Sequence, residues 1–232
     1  MDALLETRPP VFSFVFGIPS PAVLAECRRR EIVTLGAAIT LAEARALDEA
    51  GVDLILATGF EAGGHRPSFL ARAEDSLVGT LALTGLAAER VRAPVIAAGG
   101  IVDAGGIRAA LALGAQAAQS GTAFLACAES GTTDAHRAAL FGDAGERTAL
   151  TRAYTGRLAR GIPNRLVAEI EARQAELPPF PAHAWFVAQL KAAAAAAGRT
   201  DLAPLYAGQA APNLRHRTAA ELMEALIRDL SN

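Results

Sequence analysis

The sequence predicts an α/β protein, a TIM-type (β/α) barrel that is incomplete and is followed by a helical C-terminal region; three observations predict it. Short apolar runs rich in β-branched and aromatic residues recur along the first half of the chain. Segments of helical period lie between them, which is the rhythm of βα units around a parallel sheet buried on both faces. Glycine-rich turns stand at the ends of the later runs, where such a barrel carries its ligand loops. With 232 residues, 52% hydrophobic and 20% charged, the chain can bury a sizeable core and lacks the composition of a disordered protein.

Each element follows from local signals. Val11–Gly17 is the first strand, and the helix after it opens at Pro19–Pro21 and runs through Arg28, Arg29 and Arg30. Ile32–Ile39 is the second; it leads to Thr40, which forms a capping box with Glu43 for a helix ending at Gly51. Val52–Ala57 is the third strand, and Arg72–Arg92 reads as one long helix after a loop. Pro94–Ala98 is the fourth strand, Asp103 caps a helix closed by Gly114, and Ala117–Gly121 is the fifth strand. From about Asp134 the pattern is helical or irregular, with breaks at Gly161–Pro163, Pro178–Pro181 and Gly198, and no further strand is expected. The run Ala192–Ala197 reads as helix. A barrel of ~250 residues spends roughly thirty on each of its eight units. About three units are therefore unaccounted for, and they would have to precede Met1.

Composition narrows the function classes. The net charge is −2 and no Lys/Arg run is interleaved with aromatics, so nucleic acid is not an expected partner. The two cysteines, Cys27 and Cys127, stand far apart in helical and strand-end contexts, which argues against a disulfide framework or a metal cluster. They read as reduced, buried thiols of a cytoplasmic protein, and no metal is expected. The start MDALLETRPP has no apolar signal core, and no run reaches the ~18 apolar residues of a membrane span.

Three strand-end segments carry chemistry. The first is Thr58-Gly59-Phe60-Glu61-Ala62-Gly63-Gly64-His65-Arg66. Gly63 and Gly64 allow positive φ and close approach to a flat ligand, and His65, projecting from a constrained turn, titrates in the range suited to proton transfer. By spacing alone, a glycine-rich turn with an incidental histidine explains this segment equally well. The second is Ala98-Gly99-Gly100-Ile101 and the third Gln119-Ser120-Gly121-Thr122. Strand-end glycines beside helix starts present backbone N–H groups to a phosphate, and Thr122 adds a hydroxyl. This pair suits nucleotides and sugar phosphates alike.

Taken together, GFEAGGHR, APVIAAGGIVDAGGIRAALALGA and AAQSGTAFLACAES, in this order and spacing, resemble the FMN-dependent nitronate monooxygenase (2-nitropropane dioxygenase-like) family. TGRLARGIPNRLVAEIE and LYAGQAA further on resemble its C-terminal region. The resemblance implies that the fourth and fifth strands are the last two of the barrel, so that the chain holds about its last five units. It implies FMN as cofactor, with Gly63 and Gly64 beside the flavin and Gly99, Gly100, Gln119, Ser120, Gly121 and Thr122 at its phosphate. His65 matches the histidine that acts as catalytic base or orients the nitro substrate. Thr58 departs from the pattern, since many members carry Gln there. The implied reaction is oxidation of alkyl nitronates, propionate 3-nitronate included, by dioxygen to a carbonyl compound and nitrite. The expected division is a partial barrel with the FMN-phosphate site over 1–133 and a helical extension packed on it over 134–232.

Two rival readings stand beside this one: an FMN-dependent enoyl-acyl-carrier-protein reductase with similar motifs, and a fragment inactive without the missing N-terminal strands. Unpaired strand edges would favour a homo-oligomer. Among the remaining residues, His136, His183 and His216 read as surface or packing groups. Glu61 either bonds flavin or substrate or orients backbone. Arg157, Arg160 and Arg165 read as a solvated helix face in preference to an anion patch. Trp185 and Tyr206 are expected to pack the tail, with Tyr206 also a candidate pocket wall.

Overall fold

The computed structural model describes residues 2–197 and 199–231, so the break expected at Gly198 lies outside the described residues. In chain order the elements begin α1 (Asp2–Thr7), β1 (Val11–Phe14), α2 (Pro21–Arg29), β2 (Val33–Ala38), α3 (Leu41–Glu49), β3 (Leu54–Thr58) and β4 (Gly64–His65). They continue α4 (Thr80–Arg90), β5 (Val95–Ala98), α5 (Ala104–Ala112), β6 (Ala117–Gln119), α6 (Thr122–Leu125) and α7 (Asp134–Phe141). The last are β7 (Ala149–Thr151), β8 (Ala159–Gly161), α8 (Arg165–Glu171), α9 (Ala182–Ala196) and α10 (Ala219–Leu230). They fall into two compact units, each discontinuous in sequence. The first takes the chain up to Phe60, then Pro67–Ala98 and Ile107–Gln119; the second takes Glu61–Arg66, Gly99–Gly106 and the chain from Ser120 onward. The segments 61–66, 99–106 and 120–133 thus group with the C-terminal residues.

The first unit holds a five-stranded sheet in the order β1-β2-β3-β5-β6, parallel throughout. These are the five strands expected from sequence, four of them trimmed at one or both ends, while β3 begins two residues later than expected and ends one residue later, at Thr58. β2 and β3 are buried almost without interruption because helices or loops cover both faces, which is why their sequences run apolar instead of alternating. Phe14, Leu24, Leu47, Ile55, Leu83 and Val95 pack one face; Leu35, Ala37, Leu56 and Ala98 pack together in a second cluster. Gly36 of β2 lies under the Leu47 side chain, where a Cβ would collide with it. Ser20 caps α2 by accepting from the Val23 N–H, and Gly51 (φ +75) and Gly114 (φ +94) stand just beyond α3 and α5 in the left-handed region.

Two expectations in this unit are corrected. Thr40 does cap α3, accepting from the Glu43 N–H at 3.2 Å, but Glu43 does not close a capping box. Its buried carboxylate accepts from the N–H groups of Ile39 (2.8 Å), Phe69 (2.7 Å) and Leu70 (3.2 Å). A buried carboxylate must be satisfied, and three backbone donors satisfy it better than one. Nor is Arg72–Arg92 one helix: a single 3₁₀ turn, Ala73–Asp75, precedes extended chain, and α4 begins only at Thr80. The Ser76 hydroxyl donates to the Arg72 carbonyl at 2.9 Å, a local bond that competes with the helical ladder. Gly79 then enters α4 in extended conformation.

The second unit contains the strands that the sequence reading did not expect. β7 and β8 pair antiparallel, and β8 also pairs antiparallel with β4, which puts Gly64 opposite Arg160 and His65 opposite Ala159. His65 therefore sits in a short strand and not in a turn. Ala153, Tyr154, Ala159, Leu166, Val167 and Val187 form one core cluster; Ala126, Leu140, Ile162, Leu205, Ala207 and Ala211 form another. α10 opens with a complete capping box between Thr218 and Glu221.

Several single-residue expectations also change. Trp185 is 69% exposed, so it does not pack the tail. Arg157, Arg160 and Arg165 share no helix face: Arg160 is buried on β8, Arg157 lies over the Phe180 ring at 4.8 Å, and only Arg165, paired with Glu169, is on a solvated helix. His183 is fully buried and its Nε2 donates to the Ala153 carbonyl at 2.9 Å. Cys27 and Cys127 are free and buried, and burial pushes both thiols up. Among the described residues no helix is long and apolar enough to cross a membrane.

Candidate functional site

In the first unit the strands β3, β5 and β6 end level, with Thr58 opposite Ala98 and Ala98 opposite Gln119. Parallel strands bring their C-terminal ends to one edge, and from each of these three ends the chain runs on into a glycine-bearing segment. The Thr58 hydroxyl turns back on its own strand, donating to the Leu56 carbonyl at 3.4 Å, and Thr58 is buried.

Within the second unit, the first segment is held by the Tyr206–Gly208 stretch. A Cβ on Gly63 would lie 2.6 Å from the Gly208 nitrogen and 2.7 Å from the Ala207 carbonyl carbon, so Gly63 is glycine because another backbone crosses it. Gly208 packs against the Glu61 carbonyl, the Gly63 nitrogen and Thr122 Oγ1, and its N–H donates to Thr122 Oγ1 at 3.0 Å. Gln209 N–H donates to the Glu61 carbonyl at 2.9 Å. Gly64 differs: its φ is +83, and no atom stands within 4 Å of where a Cβ would be.

His65 follows directly. Its Nε2 lies 2.7 Å from Thr155 Oγ1, and its ring meets Tyr206 at a tilt, with centroids 5.9 Å apart. Burial first, and the Arg157 charge second, hold its pKa below the ordinary histidine range, so it is a neutral imidazole at neutral pH and able to accept a proton. Tyr206 is fixed edge-on by Tyr154 (5.1 Å), and its carbonyl accepts from His136 Nε2 at 2.9 Å. Burial pushes the Tyr154 phenol up to about 12. Its O–H donates to the Ile162 carbonyl at 3.1 Å, so it serves as a neutral structural group.

The second and third segments are joined by Ser120, whose hydroxyl donates to the Ile101 carbonyl at 2.8 Å. Gly99 (φ +112) and Gly100 (φ +69) are both left-handed; a methyl group added at Gly100 would meet Glu61 Cβ first, at 3.5 Å, an ordinary contact. Gly121 has open space where a Cβ would be. Among the described residues the N–H groups of Gly100, Gly121 and Thr122 have no hydrogen-bond partner.

Two buried arginines stand beside the histidine strand. Arg66 follows His65, is 1% exposed, and its N–H donates to the Leu158 carbonyl at 2.8 Å. Arg160, opposite Gly64, donates to the Thr148 carbonyl and hydroxyl; burial lowers its pKa while the Glu61 charge raises it. Because side chains alternate along a strand, Arg160, paired with Gly64, points to the face opposite His65, and the cationic charge that acts on the His65 ring is that of Arg157. Gly63, Gly64, His65, Gly99, Gly100, Ser120, Gly121 and Thr122 all fall in this unit, while Gln119 ends β6 in the other. Sequence reasoning missed Thr155, Gly208, Arg66 and the burial of Arg160. Thr155 and Arg160 lie in TGRLARG and Gly208 in LYAGQAA, stretches whose likeness was visible but whose work was not.

Comparison with known proteins bears on the same segments. The nitronate monooxygenase family model matches residues 1–229. The nitronate monooxygenase of Paraburkholderia phytofirmans is 48% identical over 231 residues, 99% of this chain and 63% of that protein. The nitronate monooxygenase of Pseudomonas aeruginosa is 45% identical over 233 residues, 99% of this chain and 66% of that one. Among solved structures, nitroalkane oxidase from Streptomyces ansochromogenes superposes with a TM-score of 0.93 at 43% identity, covering 99% of this chain and 66% of that one. FabK from Thermotoga maritima superposes with a TM-score of 0.82 at 27% identity, covering 99% and 70%. The chain thus spans between 63% and 66% of the length of these two curated relatives.

Proposed function

The chain belongs to the nitronate monooxygenase family, and on that premise we propose that it holds FMN and serves the oxidation of alkyl nitronates by dioxygen to a carbonyl compound and nitrite. The observation that carries this reading is the grouping, in one compact unit, of a neutral half-buried histidine, two buried arginines and glycine turns with unengaged N–H groups.

The residues present fit the cofactor. Open space beside Gly64 and Gly121 suits a flat or bulky group, and the N–H groups of Gly100, Gly121 and Thr122 suit a phosphate dianion. Thr122 Oγ1 already accepts from Gly208, which leaves its O–H to donate. Gly99 supplies the turn, Ser120 ties it to the next segment, and Gln119 stands immediately before them. Gly63 serves first as the crossing point for Gly208, and through that crossing sets where Gly64 lies. When bound, FMN supplies the redox chemistry between the nitronate and dioxygen.

The chain's own groups do the rest. His65 accepts the α-proton of a nitroalkane on a ring nitrogen, while Thr155 Oγ1 fixes the ring through Nε2. Arg157, whose charge acts on the His65 ring, favours the anionic product of that transfer over its neutral acid. Tyr206 excludes water from one side of the imidazole.

The five parallel strands are part of a TIM-type barrel in this reading, and the relatives extend beyond the stretch matched here. The chain then grips the phosphate, while further strands of the same barrel shelter the isoalloxazine. Titrating FMN with the 232-residue chain, and with a chimera carrying the unmatched residues of the Paraburkholderia relative, tests this by fluorescence quenching. Weak binding by the first and a stoichiometric complex with the second, which then releases nitrite from a nitronate in air, is the expected result. A stoichiometric sub-micromolar complex with the short chain would overturn the division of labour. The rival reductase reading has less support, because FabK matches at 27% identity against 43% for nitroalkane oxidase. Rapid reduction of the chimera's flavin by NADH or NADPH, with none by nitronate, would reverse that ranking.

A further inference from the structure

The second unit contains a cavity of about 410 Å³ that the FMN reading leaves unused. This size falls within the range of small-molecule pockets. Most of its wall is apolar: Leu125, Ala135, Ala195, Ala203, Pro204 and Leu205 face it. Among the described residues the titratable groups that line it are basic side chains, His136, Lys191 and Arg199, with no carboxylate.

These three groups are not equivalent. Arg199 is neutralised by a bidentate pair with Asp201 at 2.8 and 2.7 Å. His136 gives its Nε2 to the Tyr206 carbonyl, and burial holds its pKa down, so it is neutral at neutral pH. Asp134, one residue before Ala135, is paired with Arg137. Lys191 makes no ion pair among the described residues, and it is the only lysine in a chain whose other permanently cationic side chains are all arginine. Its flexible stem and compact ammonium suit a single carboxylate at a rim.

We propose that this cavity is a binding site for an amphipathic monocarboxylate, an alkyl carboxylate of medium chain length. The hydrocarbon lies along Leu125, Pro204 and Leu205, the carboxylate meets Lys191, and the Thr200 hydroxyl stands ready as a second donor. An apolar cavity gains little from water, so an alkyl chain recovers burial free energy there; the unpaired ammonium selects a carboxylate over a neutral alcohol, and the apolar wall disfavours a second, unpaired charge. Tyr206 links this cavity to His65: it lines the one and its ring touches the other. Binding here needs neither FMN nor nitronate.

Octanoate is the probe, used with the 232-residue chain. Since Lys191 is the only lysine, acetic anhydride has one side-chain amine to modify, and the N-terminal amine serves as internal control. Saturating octanoate should slow acetylation of Lys191 about tenfold, read by peptide mass spectrometry, and leave the N-terminal amine unaffected; acetate and octan-1-ol should protect far less. By calorimetry, Lys191→Gln should weaken octanoate about tenfold and Ala195→Phe should abolish its binding. Both positions are exposed on α9, and circular dichroism checks the fold; should the Phe variant misfold, the Gln variant alone still decides. Equal slowing at both amines, octan-1-ol binding as well as octanoate, or octanoate affinity unchanged in Lys191→Gln would each overturn the proposal.

Discussion

Gly63-Gly64 and Gly99-Gly100 are the same dipeptide at the ends of neighbouring strands, yet their environments differ. At the first pair, one glycine is closed in by crossing backbone that a Cβ would meet at 2.6 Å, while the next opens on empty space. At the second pair both residues are left-handed and Gly100 has room for a methyl group. A glycine pair can therefore be a crossing point for the chain or a seat for a ligand, and only the neighbours decide which. The two uses respond differently to substitution.

The largest expected effect is on stability. Gly63→Ala should destabilise the fold by about 3 kcal/mol, because the added methyl meets backbone that cannot swing aside. Thermal unfolding would show it as a fall of many degrees, and an unchanged midpoint would mean that the Ala207–Gly208 stretch does not cross there. Next comes His65→Ala, measured in the FMN-loaded chimera, which should lower kcat/KM about 10²-fold, or about 2.7 kcal/mol, with FMN still bound. If flavin is lost and the residual rate is normal, the histidine belongs to the structural side of the comparison. Gly100→Ala should cost only about 1 kcal/mol of stability for its left-handed backbone, while weakening FMN about tenfold. Equal FMN affinity would remove this turn from the cofactor site.

The smallest effect is a pH dependence. His65 and His136 both have folded-state pKa values below 6.5, so between those values and 6.5 the unfolded chain binds more protons than the native one. Stability is then full above about 6.5 and falls as pH drops through the folded values. A thermal midpoint lower at about pH 5.5 than at about pH 7.5, with the difference reduced in His65→Ala, is the expected pattern. A midpoint independent of pH would place both rings in water.

How much of this was legible in the sequence follows from where each signal resides. The five parallel strands were legible because two-face burial writes itself as continuous apolar runs such as VDLILA. The Asp103 turn was legible for the same local reason: its carboxylate accepts from the Gly106 N–H three residues on. β7 and β8 were not, since ALT and ARG are three residues each and β4, which pairs with β8, lies far away in sequence. No short-range period encodes such a pairing. Glu43 misled because the competing donors, Phe69 and Leu70, are distant in sequence and near in space. At the site, His65 and the glycines were found by type and position at strand ends. Thr155 was not, because its one distinguishing property is a 2.7 Å contact across ninety residues of chain.

The level ending of β3, β5 and β6 sets a rule for engineering and for drift. A residue inserted within any of these strands would push everything beyond it along by about 3.3 Å and turn its side chains to the opposite face. Length variation can therefore accumulate only past Gly59, past Gly100 and past Gln119, where the three segments have already left the sheet. A library that samples insertions after those positions, while leaving Thr58, Ala98 and Gln119 fixed, would change what the loops hold without disturbing the level from which they start.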